Sequence, residues 1–425
     1  MSKYNYSIIN YKKLGECPPS PDKEKLIYPT EESLVKNTGM LTNYDQVLSL
    51  IPPTEENIYT FDYIWNYFKK GAFVHLVDSK VKTFIVFYNM SYSNPLKKYF
   101  KETYNLEVSN DSIFNWSYIK SDSYFKSDSW VPPYEIDDYY KLFTLLNFGS
   151  TGSSGSTGST GSSGSSGSQL QGFILFRDTL LAAKDNNPWK HLRITPELEK
   201  HFINKPLANI FNDCGHVDFN DIPLPSTDDI KFLMGDFVKS TPFKSKADIA
   251  FFRGSATGTG DLIDNPRIFA ASKSKEYPGL DIGITQKYSY HKIYFYKGRI
   301  VNTRSFINKM ILSPKVPSTD YDKYKVLINI DGNIAANRKN TLLQYNSNII
   351  GFKNQYYDWF DIYVQTKGCS PIKNYSTIED IVLDLPKLFA ELDPNIIKLK
   401  ELYTMDSVIE YIRQLINYQL LITNY

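Results

Sequence analysis

The second half of the chain twice repeats one pattern: a short apolar run, a glycine-containing turn and a helical segment. Residues 248–252 precede the turn at 253–260, and a helix is predicted from about 266 to 275. Residues 326–330 precede a similar turn, and a second helix is predicted from Ile334 onward. Strands and helices that alternate in this way build a parallel sheet with helices on both faces. The pattern therefore predicts an α/β fold.

Apolar runs elsewhere extend this prediction toward both ends of the chain. Two of them, at residues 72–78 and 82–88, flank a short polar turn and are typical of a β-hairpin. Further strands are predicted at residues 172–176, 281–285 and 348–352, and helices at 55–69 and 137–146. Ser376 and Ser407 are each followed three residues later by Glu, which is the spacing of a helix-capping box. An apolar stripe after Ser407 is expected to pack on the body of the protein: Val408, Ile409, Ile412, Leu415, Ile416 and Leu420.

Four consecutive parts are expected along the chain. Residues 1–45, rich in proline and charge, predict an extended arm, and residues 46–235 a first lobe. Residues 236–395 hold the repeated strand–turn–helix pattern and predict a second lobe, and residues 396–425 a C-terminal helix. Residues 149–168 consist only of Gly, Ser and Thr, a composition typical of a designed flexible linker that replaces a loop within the first lobe.

Charge and cysteine content exclude several classes of protein. Lys and Arg number 48 and Asp and Glu 46, so the net charge of +2 gives no electrostatic footprint for nucleic acid. Three widely spaced cysteines exclude a disulfide scaffold, and no His or Cys group has the spacing of a metal site. Every apolar stretch is shorter than the about 20 residues that a membrane span needs. We expect no nucleic-acid partner, no metal and no membrane span.

The beginning of the sequence and its composition bear on where the protein works. No apolar segment with a small-residue cleavage site follows Met1, so no signal peptide is visible. Asn, Ile, Lys and Tyr are abundant, which is typical of AT-rich genomes, those of large DNA viruses among them. We therefore expect a cytoplasmic protein, in the cytoplasm of the host if the chain is viral.

The turn after Phe252 is the first candidate binding site. Glycines between a strand and a helix let backbone N–H groups converge on an anion, and the helix N-terminus adds partial positive charge. Arg253, followed by Gly254 and Ser255, stands where a guanidinium can fork onto a phosphate. The turn lacks both a Walker motif and a dinucleotide fingerprint, so a plain surface loop is the alternative.

The second turn follows the same logic. Asp331 and Gly332 come directly after a strand, and the small Ala336 allows a ligand to approach the backbone. Arg338 stands close enough in sequence to reach the same phosphate. Two such turns at one sheet edge form a cleft for a diphosphate. Alternatively, Arg338 is a surface salt-bridge partner.

The first lobe offers a candidate general base. Asp178 follows Arg177 at the end of a predicted buried strand, where ligand clefts open and a carboxylate can accept a proton. The alternative is that Asp178 caps the next segment or pairs with Arg177.

Two further motifs are ambiguous. Residues 220–229 combine two prolines with helix-capping residues and predict either an acceptor-binding turn or a hinge. Asp320-Tyr321-Asp322 resembles the acidic pair that chelates a nucleotide-bound metal in one class of sugar transferases, but its charged surroundings favour a solvated turn.

Taken in order, four motifs resemble glycosyltransferase family 90, which includes the Rumi-type protein O-glucosyltransferases and the fungal capsule-associated xylosyltransferases. They are Arg177-Asp178, the Asp-Ile-Pro-Leu-Pro of residues 221–225, the Phe-Arg-Gly-Ser of residues 252–255, and Asp331-Gly332 with the downstream Arg338. Residues 184–189 and Ser347 with the strand after it are also similar. The resemblance spans roughly residues 172–395.

The resemblance implies a GT-B fold, with two facing Rossmann-like domains. It implies inverting transfer of a glucose- or xylose-type sugar from a UDP-sugar to a hydroxyl of a protein or glycan acceptor, without a cofactor or an essential metal. Asp178 would be the base. The donor would contact Phe252, Arg253, Gly254, Ser255, Asp331, Gly332, Ala336 and Arg338. The acceptor side would comprise Arg177, Trp189, Asp221, Pro225 and Ser226.

Two alternatives stay open. The family usually has an aromatic residue and a proline after Arg-Asp, whereas Thr179 and Leu180 stand here. A catalytically inactive protein that binds glycans or nucleotide sugars on the same fold is therefore the second hypothesis. A third is a phosphotransferase, which needs Asp261 or Asp264 as a metal ligand near the glycine-rich turn.

Overall fold

The structure, a computed structural model, describes residues 43–65, 70–77, 80–88, 169–174, 208–216, 221–235, 240–258, 265–286, 293–296, 299–302, 312–332, 334–336 and 338–417. Several predictions concern other residues. Residues 1–42 of the predicted arm, the Gly/Ser/Thr segment and the helix predicted at 137–146 lie outside the described residues. The last two residues of the predicted arm, Tyr44 and Asp45, are helical rather than extended. So do Arg177, Asp178, Trp189, Asp261, Asp264 and Leu420.

The first sheet follows two helices, α1 (Tyr44–Leu48) and α2 (Glu55–Tyr63). The strands of this part are β1 (Lys70–Val77), β2 (Lys80–Tyr88), β3 (Gln169–Ile174), β4 (Ile210–Asn212), β5 (Gly215–His216) and β6 (Ile222–Pro223). All except β5 join one sheet in the order β2–β1–β3–β4–β6. β1 runs antiparallel to β2 and β3, which confirms the predicted hairpin, whereas β3, β4 and β6 are parallel.

Apolar clusters cover both faces of the first sheet, because successive side chains of a strand point to opposite sides. Phe73 of β1 packs with Phe61 of α2 in a cluster on one face. Val74 and Leu76 belong to a larger core on the other face. Helix α3 (Thr227–Leu233) follows β6 and adds Ile230 to that larger core.

The second sheet contains five parallel strands in the order β14–β12–β11–β7–β8. Its elements begin with β7 (Ala247–Ser255), α4 (Pro266–Lys273) and β8 (Leu280–Gln286), followed by a separate hairpin of β9 (Ile293–Tyr296) and β10 (Arg299–Asn302). The remaining strands are β11 (Tyr324–Asn329), β12 (Asn348–Phe352), β13 (Tyr356–Tyr357) and β14 (Asn374–Tyr375). The parallel sheet predicted from strand–helix alternation is confirmed.

Helices cover both faces of the second sheet. The C-terminal helices are α5 (Trp359–Thr366), α6 (Ile378–Ala390), α7 (Pro394–Leu402) and α8 (Met405–Asn417). On one face, Phe252 and Ile328 pack with Ile381 of α6. On the other face, Phe251 and Leu327 join the larger core that also contains strands of the first sheet.

Helix α8 connects the C-terminus to the first sheet. Val408, Ile409, Ile412, Leu415 and Ile416 are buried in the larger core, so the stripe packs on the body of the protein as predicted. The hydroxyl of Tyr411 donates a hydrogen bond of 2.9 Å to the carbonyl of Pro223 in β6. The two sheets therefore share one apolar core.

The two predicted capping boxes are wrong. Helix α6 is capped by Thr377, whose hydroxyl accepts from the N–H of Asp380 at 3.1 Å, so the cap lies one residue after Ser376. Ser407 lies inside α8, and its own N–H donates to the hydroxyl of Thr404 at 3.2 Å. In both cases a neighbouring threonine supplies the same acceptor as the serine.

The α-helix predicted from Ile334 onward is also wrong. The described residues up to Lys339 form bends and turns, and a five-residue 3-10 helix, Asn340–Gln344, follows. A tight turn, in which the N–H of Gly332 donates to the carbonyl of Ile334 at 2.9 Å, begins the segment. The coarse prediction of a mixed α/β fold with a parallel sheet holds. No helix within the described ranges is long and apolar enough to cross a membrane.

Candidate functional site

An open pocket of about 310 Å³ lies where β7 and β8 end. Ligands of open α/β sheets bind at this carboxyl edge of the strands. The pocket is lined by Arg253, Gly254, Ser255, Arg267, Thr285, Gln286, Lys315, Val316, Tyr321 and Arg338. Four of these side chains are cationic and none is acidic, so the lining favours an anionic ligand.

Arg253 is anchored inside the protein. Its Nη2 lies 2.8 Å from the carboxylate of Asp281, and its Nη1 donates to the carbonyls of Phe252 and Asp281 at 3.0 Å. The guanidinium also stacks over the ring of Phe251, 4.6 Å from the ring centre. Its Nε is buried without a hydrogen-bond partner. The charge of Arg253 is thus largely balanced by Asp281.

Arg338 differs from Arg253 because no carboxylate among the described residues pairs with it. Its Nη1 donates to the carbonyl of Arg253 at 2.6 Å and to the hydroxyl of Tyr321 at 3.4 Å. The guanidinium lies over the ring of Phe252, 4.9 Å from its centre. Burial lowers the pKa of Arg338. A partly buried cation that is bonded only to neutral groups has capacity left for an anion.

Arg267 is a pocket residue that the sequence analysis missed. Its Nε and Nη2 donate to the carbonyl of Ile330 at 3.0 and 2.9 Å, and its Nη1 donates to the carbonyl of Ser255 at 3.2 Å. It occupies the first turn of α4, where Asn265 caps the helix and Pro266 is the first helical residue. The sequence does contain a signal for this position. Asn265 and Pro266 after a glycine-rich turn predict the start of a helix, and the next residue, Arg267, then lies in the first helical turn beside the candidate anion site.

Two glycines allow the arginines to come close to the backbone. A methyl group on Gly254 would lie 2.8 Å from Nη2 of Arg338 and 2.7 Å from the ring of Phe252. A methyl group on Gly332 would lie 2.9 Å from the hydroxyl of Thr257 and 3.1 Å from Nη2 of Arg267. At both turns the absence of a side chain thus leaves room for one of the protein's own arginines.

The other donor-side candidates have different surroundings. Phe252 is buried beneath the guanidinium of Arg338, and Arg267 lies 5.7 Å from its ring centre. Ser255 lines the pocket, whereas Ala336 is buried and does not. The rest of the lining was not predicted and consists of Thr285, Gln286, Lys315, Val316 and Tyr321.

Asp331 is engaged within the protein. Its Oδ2 accepts hydrogen bonds from the N–H groups of Gln355 and Tyr356 at 2.9 and 3.3 Å, and its own N–H donates to Asn354 at 3.0 Å. Burial raises its pKa to about 6. The carboxylate thereby fixes β13, which pairs with β5 across the boundary between the two sheets.

The Asp-x-Asp motif forms an ion pair. Asp322 pairs with the buried Lys246 and accepts from the hydroxyl of Ser240 at 2.5 Å. Burial alone would raise the pKa of Asp322, but these hydrogen bonds outweigh it and hold the pKa below its ordinary value. No cluster of metal-ligating side chains occurs in the part of the chain that the structure describes.

The acceptor-side candidates of the proline turn do not line the pocket. Asp221 is buried and accepts from the amide of Asn212 at 3.3 Å, and Pro225 is buried in the same turn. Ser226 caps α3, because its hydroxyl accepts from the N–H of Asp229 at 3.1 Å. Asp221 and Ser226 thus form hydrogen bonds within residues 212–229, and Pro225 is buried between them, whereas Arg253, Gly254, Ser255 and Arg338 meet at one pocket.

A second polar cluster, here called the carboxylate junction, consists of Asp229, Asp358, Asp361 and Lys339. Asp229 accepts from the indole N–H of Trp359 at 2.9 Å and from the hydroxyl of Tyr403 at 2.5 Å. Burial and the nearby charge of Asp358 raise the pKa of Asp229 to about 6. The junction joins α3 to α5 and to the end of α7.

Comparison with known proteins shows similarity to a viral protein. The chain is 26% identical over 369 residues to Uncharacterized protein 179R of Invertebrate iridescent virus 6, which corresponds to 72% of this chain. The match covers 31% of the relative, so the chain spans about a third of that protein's length. No protein-family model matches the chain. The match therefore relates this α/β chain to a viral protein.

Proposed function

We propose that the chain is a glycosyltransferase that holds the diphosphate of a UDP-sugar in the pocket at the end of β7 and β8. The sugar, of glucose or xylose type, is transferred with inversion to a hydroxyl of a protein or glycan acceptor. The resemblance to glycosyltransferase family 90 and its GT-B fold supports the reaction class.

One observation carries the proposal: four cationic side chains and no acidic one line the pocket. Arg338 has no carboxylate partner among the described residues, and Arg267 donates to main-chain carbonyls beside it. Guanidinium groups bind phosphate oxygens through forked, charge-assisted hydrogen bonds. Such an arrangement can hold a diphosphate and stabilise the charge that develops on it as a leaving group.

The chemistry is a single in-line displacement. The acceptor oxygen forms a bond to the anomeric carbon while the bond from that carbon to the diphosphate oxygen breaks, and UDP leaves with the bonding electron pair. The proton of the acceptor hydroxyl passes to a base, for which Asp178 is the predicted residue. A positioned base is worth about 10²–10⁴-fold in rate. The cations on the leaving group supply the charge that a metal provides in other sugar transferases.

Calorimetry with UDP in the presence of EDTA tests donor binding. The wild type should bind UDP, and Arg338→Ala and Arg267→Ala should each weaken binding about 10- to 100-fold, as expected for the loss of a charge-assisted hydrogen bond. Lys353→Ala is the matched control, since Lys353 lies over the ring of Phe269 and outside the pocket. Equal UDP affinity in all four proteins would overturn the proposed donor site.

A panel of UDP-sugars analysed by mass spectrometry tests transfer. Asp178→Asn should keep UDP affinity and lose transfer or donor hydrolysis, because the amide cannot accept the proton. Near-wild-type turnover of this variant would remove Asp178 from the role. Binding of UDP-sugars without any turnover by the wild type would favour the inactive binding protein on the same fold.

A further inference from the structure

Three consecutive residues connect the pocket to a helix on the other side of the turn. Arg338 directs its guanidinium to the pocket, whereas the side chains of Lys339 and Asn340 bond to residues of α5. The described residues of the turn form no α-helix that would fix these directions, and the 3-10 helix Asn340–Gln344 follows. The side-chain bonds of its neighbours therefore bear on where Arg338 points.

The described contacts of the Arg338 guanidinium are with neutral groups, among them the ring of Phe252 beneath it. Its polar contacts among the described residues are one carbonyl and one tyrosine hydroxyl, and neither is charged. Since a partly buried cation without a carboxylate gains hydration by moving outward, these contacts alone favour its position weakly. A stronger restraint on the backbone at residue 338 is needed to hold the guanidinium at the pocket.

Lys339 provides a restraint of that kind. Its Nζ lies 2.8 Å from Oδ2 of Asp358 and also pairs with Asp361, and all three side chains are largely buried. Burial opposes the charge of Lys339, but the two carboxylates outweigh it and raise its pKa. The amide of Asn340 donates to the same Oδ2 of Asp358 at 3.0 Å.

The carboxylates are themselves fixed by the start of α5. Oδ1 of Asp358 accepts from the N–H groups of Phe360 and Asp361 at 2.9 and 3.0 Å. Oδ2 of Asp361 accepts from the N–H of Asp358 at 3.1 Å, which completes a capping box. The ion cluster is thus tied to a rigid helix end rather than to a loop.

We propose that Lys339 is a positioning residue of the donor site: its buried ion pairs with Asp358 and Asp361 hold the turn so that Arg338 faces the diphosphate. This inference rests on the proposed function for the identity of the ligand. It predicts that the site weakens when Lys339 is changed, although Lys339 itself does not line the pocket.

Two measurements on Lys339→Met test the proposal. The first is the rate at which phenylglyoxal modifies Arg338, read by peptide mass spectrometry against the rate at Arg253, which is held separately by Asp281. The second is the dissociation constant for UDP. We expect severalfold faster modification of Arg338 relative to Arg253, and about tenfold weaker UDP binding. Lys339→Arg should restore both toward wild type because it keeps the charge.

Controls separate positioning from loss of stability. Val47→Ala truncates a buried side chain in the cluster between α1 and the first sheet, which contains no pocket residue, and should lower the melting temperature without changing either readout. If Lys339→Met does not fold, Asp361→Asn is the substitute, because it leaves the ion pair between Lys339 and Asp358 in place. It should change both readouts in the same direction as Lys339→Met but by a smaller factor.

The outcomes distinguish this inference from the proposed function. Unchanged modification of Arg338 and unchanged UDP affinity in the folded Lys339 variant would overturn the positioning role and leave the donor site standing. A wild type that does not bind UDP would overturn the proposed function. In that case faster modification of Arg338 in the variant would still support the positioning role, and an unchanged rate would refute it.

Discussion

The pocket and the carboxylate junction meet at residues 338 and 339 but differ in how their charges are balanced. In the junction, Lys339 pairs with two carboxylates, and Asp229 receives hydrogen bonds from Trp359 and Tyr403. In the pocket, Arg338 is bonded to a carbonyl and a hydroxyl, and no acidic side chain contributes to the lining.

The difference indicates which cluster serves structure and which serves a ligand. A buried polar group that finds its partners within the protein stabilises the fold, or at least costs it little. The pocket lining holds four cations and no acidic side chain, and this positive charge costs stability until an anion arrives. Substitutions in the junction should therefore change stability first, and those in the pocket should change affinity first.

Asp358→Ala should have the largest effect of the substitutions considered. It leaves Lys339 with one partner, removes the cap of α5 and frees the amide of Asn340, so a loss of about 3–5 kcal/mol in unfolding free energy is expected. Denaturant unfolding measures it. Asp384→Ala is the control, since Asp384 forms an exposed pair with Lys373 and should cost less than about 1 kcal/mol. Equal costs for the two variants would contradict the structural role of the junction.

Asp229 should make stability depend on pH with a definite sign. Its pKa of about 6 in the folded protein exceeds the ordinary 3.8, so its contribution is full below about pH 4 and is lost as the pH rises through 6. Two pKa units correspond to about 3 kcal/mol. Asp229→Asn resembles the protonated form, so wild type should lose stability relative to this variant between pH 4 and 7. Parallel stability curves for the two proteins would refute the assignment.

Gly254→Ala tests the pocket side of the comparison. The added methyl group would meet Nη2 of Arg338 and the ring of Phe252, so the guanidinium must move and UDP affinity should fall about tenfold. Titration calorimetry measures the change. Gly235→Ala, where the nearest atom is the carbonyl oxygen of Lys231 at 3.2 Å, should leave affinity unchanged. If the two alanine variants bind UDP equally well, Gly254 has no part in placing Arg338.

Lys315→Ala should have the smallest effect. Lys315 is an exposed side chain at the pocket, so its attraction for a diphosphate is screened by water and salt. We expect about a threefold loss of UDP affinity at low salt. The loss should shrink toward none at 0.5 M NaCl, because the Debye length there is only about 4 Å and exposed charges are screened. A loss that is independent of salt would mean that Lys315 makes a direct, desolvated contact instead.

The strands and the site edge were predictable because they depend on local pattern. Continuous apolar runs flanked by turns gave β7, β11 and β12, and parallel strands bring their ends to one edge. That logic placed Arg253 and Arg338 at one site, and both line the pocket. Arg267 was missed since its side chain returns from α4 to the carbonyls of Ser255 and Ile330, which is a tertiary contact.

The failures have the same physical origin. The helix predicted from Ile334 gives way to turns where Lys339 and Asn340 bond to α5, a partner about 20 residues away that no local pattern reveals. The predicted capping positions were wrong by one and three residues, because the hydroxyls of Thr377 and Thr404 accept the hydrogen bonds that were expected for Ser376 and Ser407. Asp331 looked like a ligand contact, yet its carboxylate binds the backbone of Gln355 and Tyr356.

A crystal structure of the wild type with UDP tests the central claim most directly. The account predicts the diphosphate in the pocket at the end of β7 and β8, with its oxygens within hydrogen-bond distance of the guanidinium groups of Arg338 and Arg267 and with Lys339 still paired to Asp358. A nucleotide bound elsewhere, with Arg338 unchanged and without a phosphate contact, would contradict it.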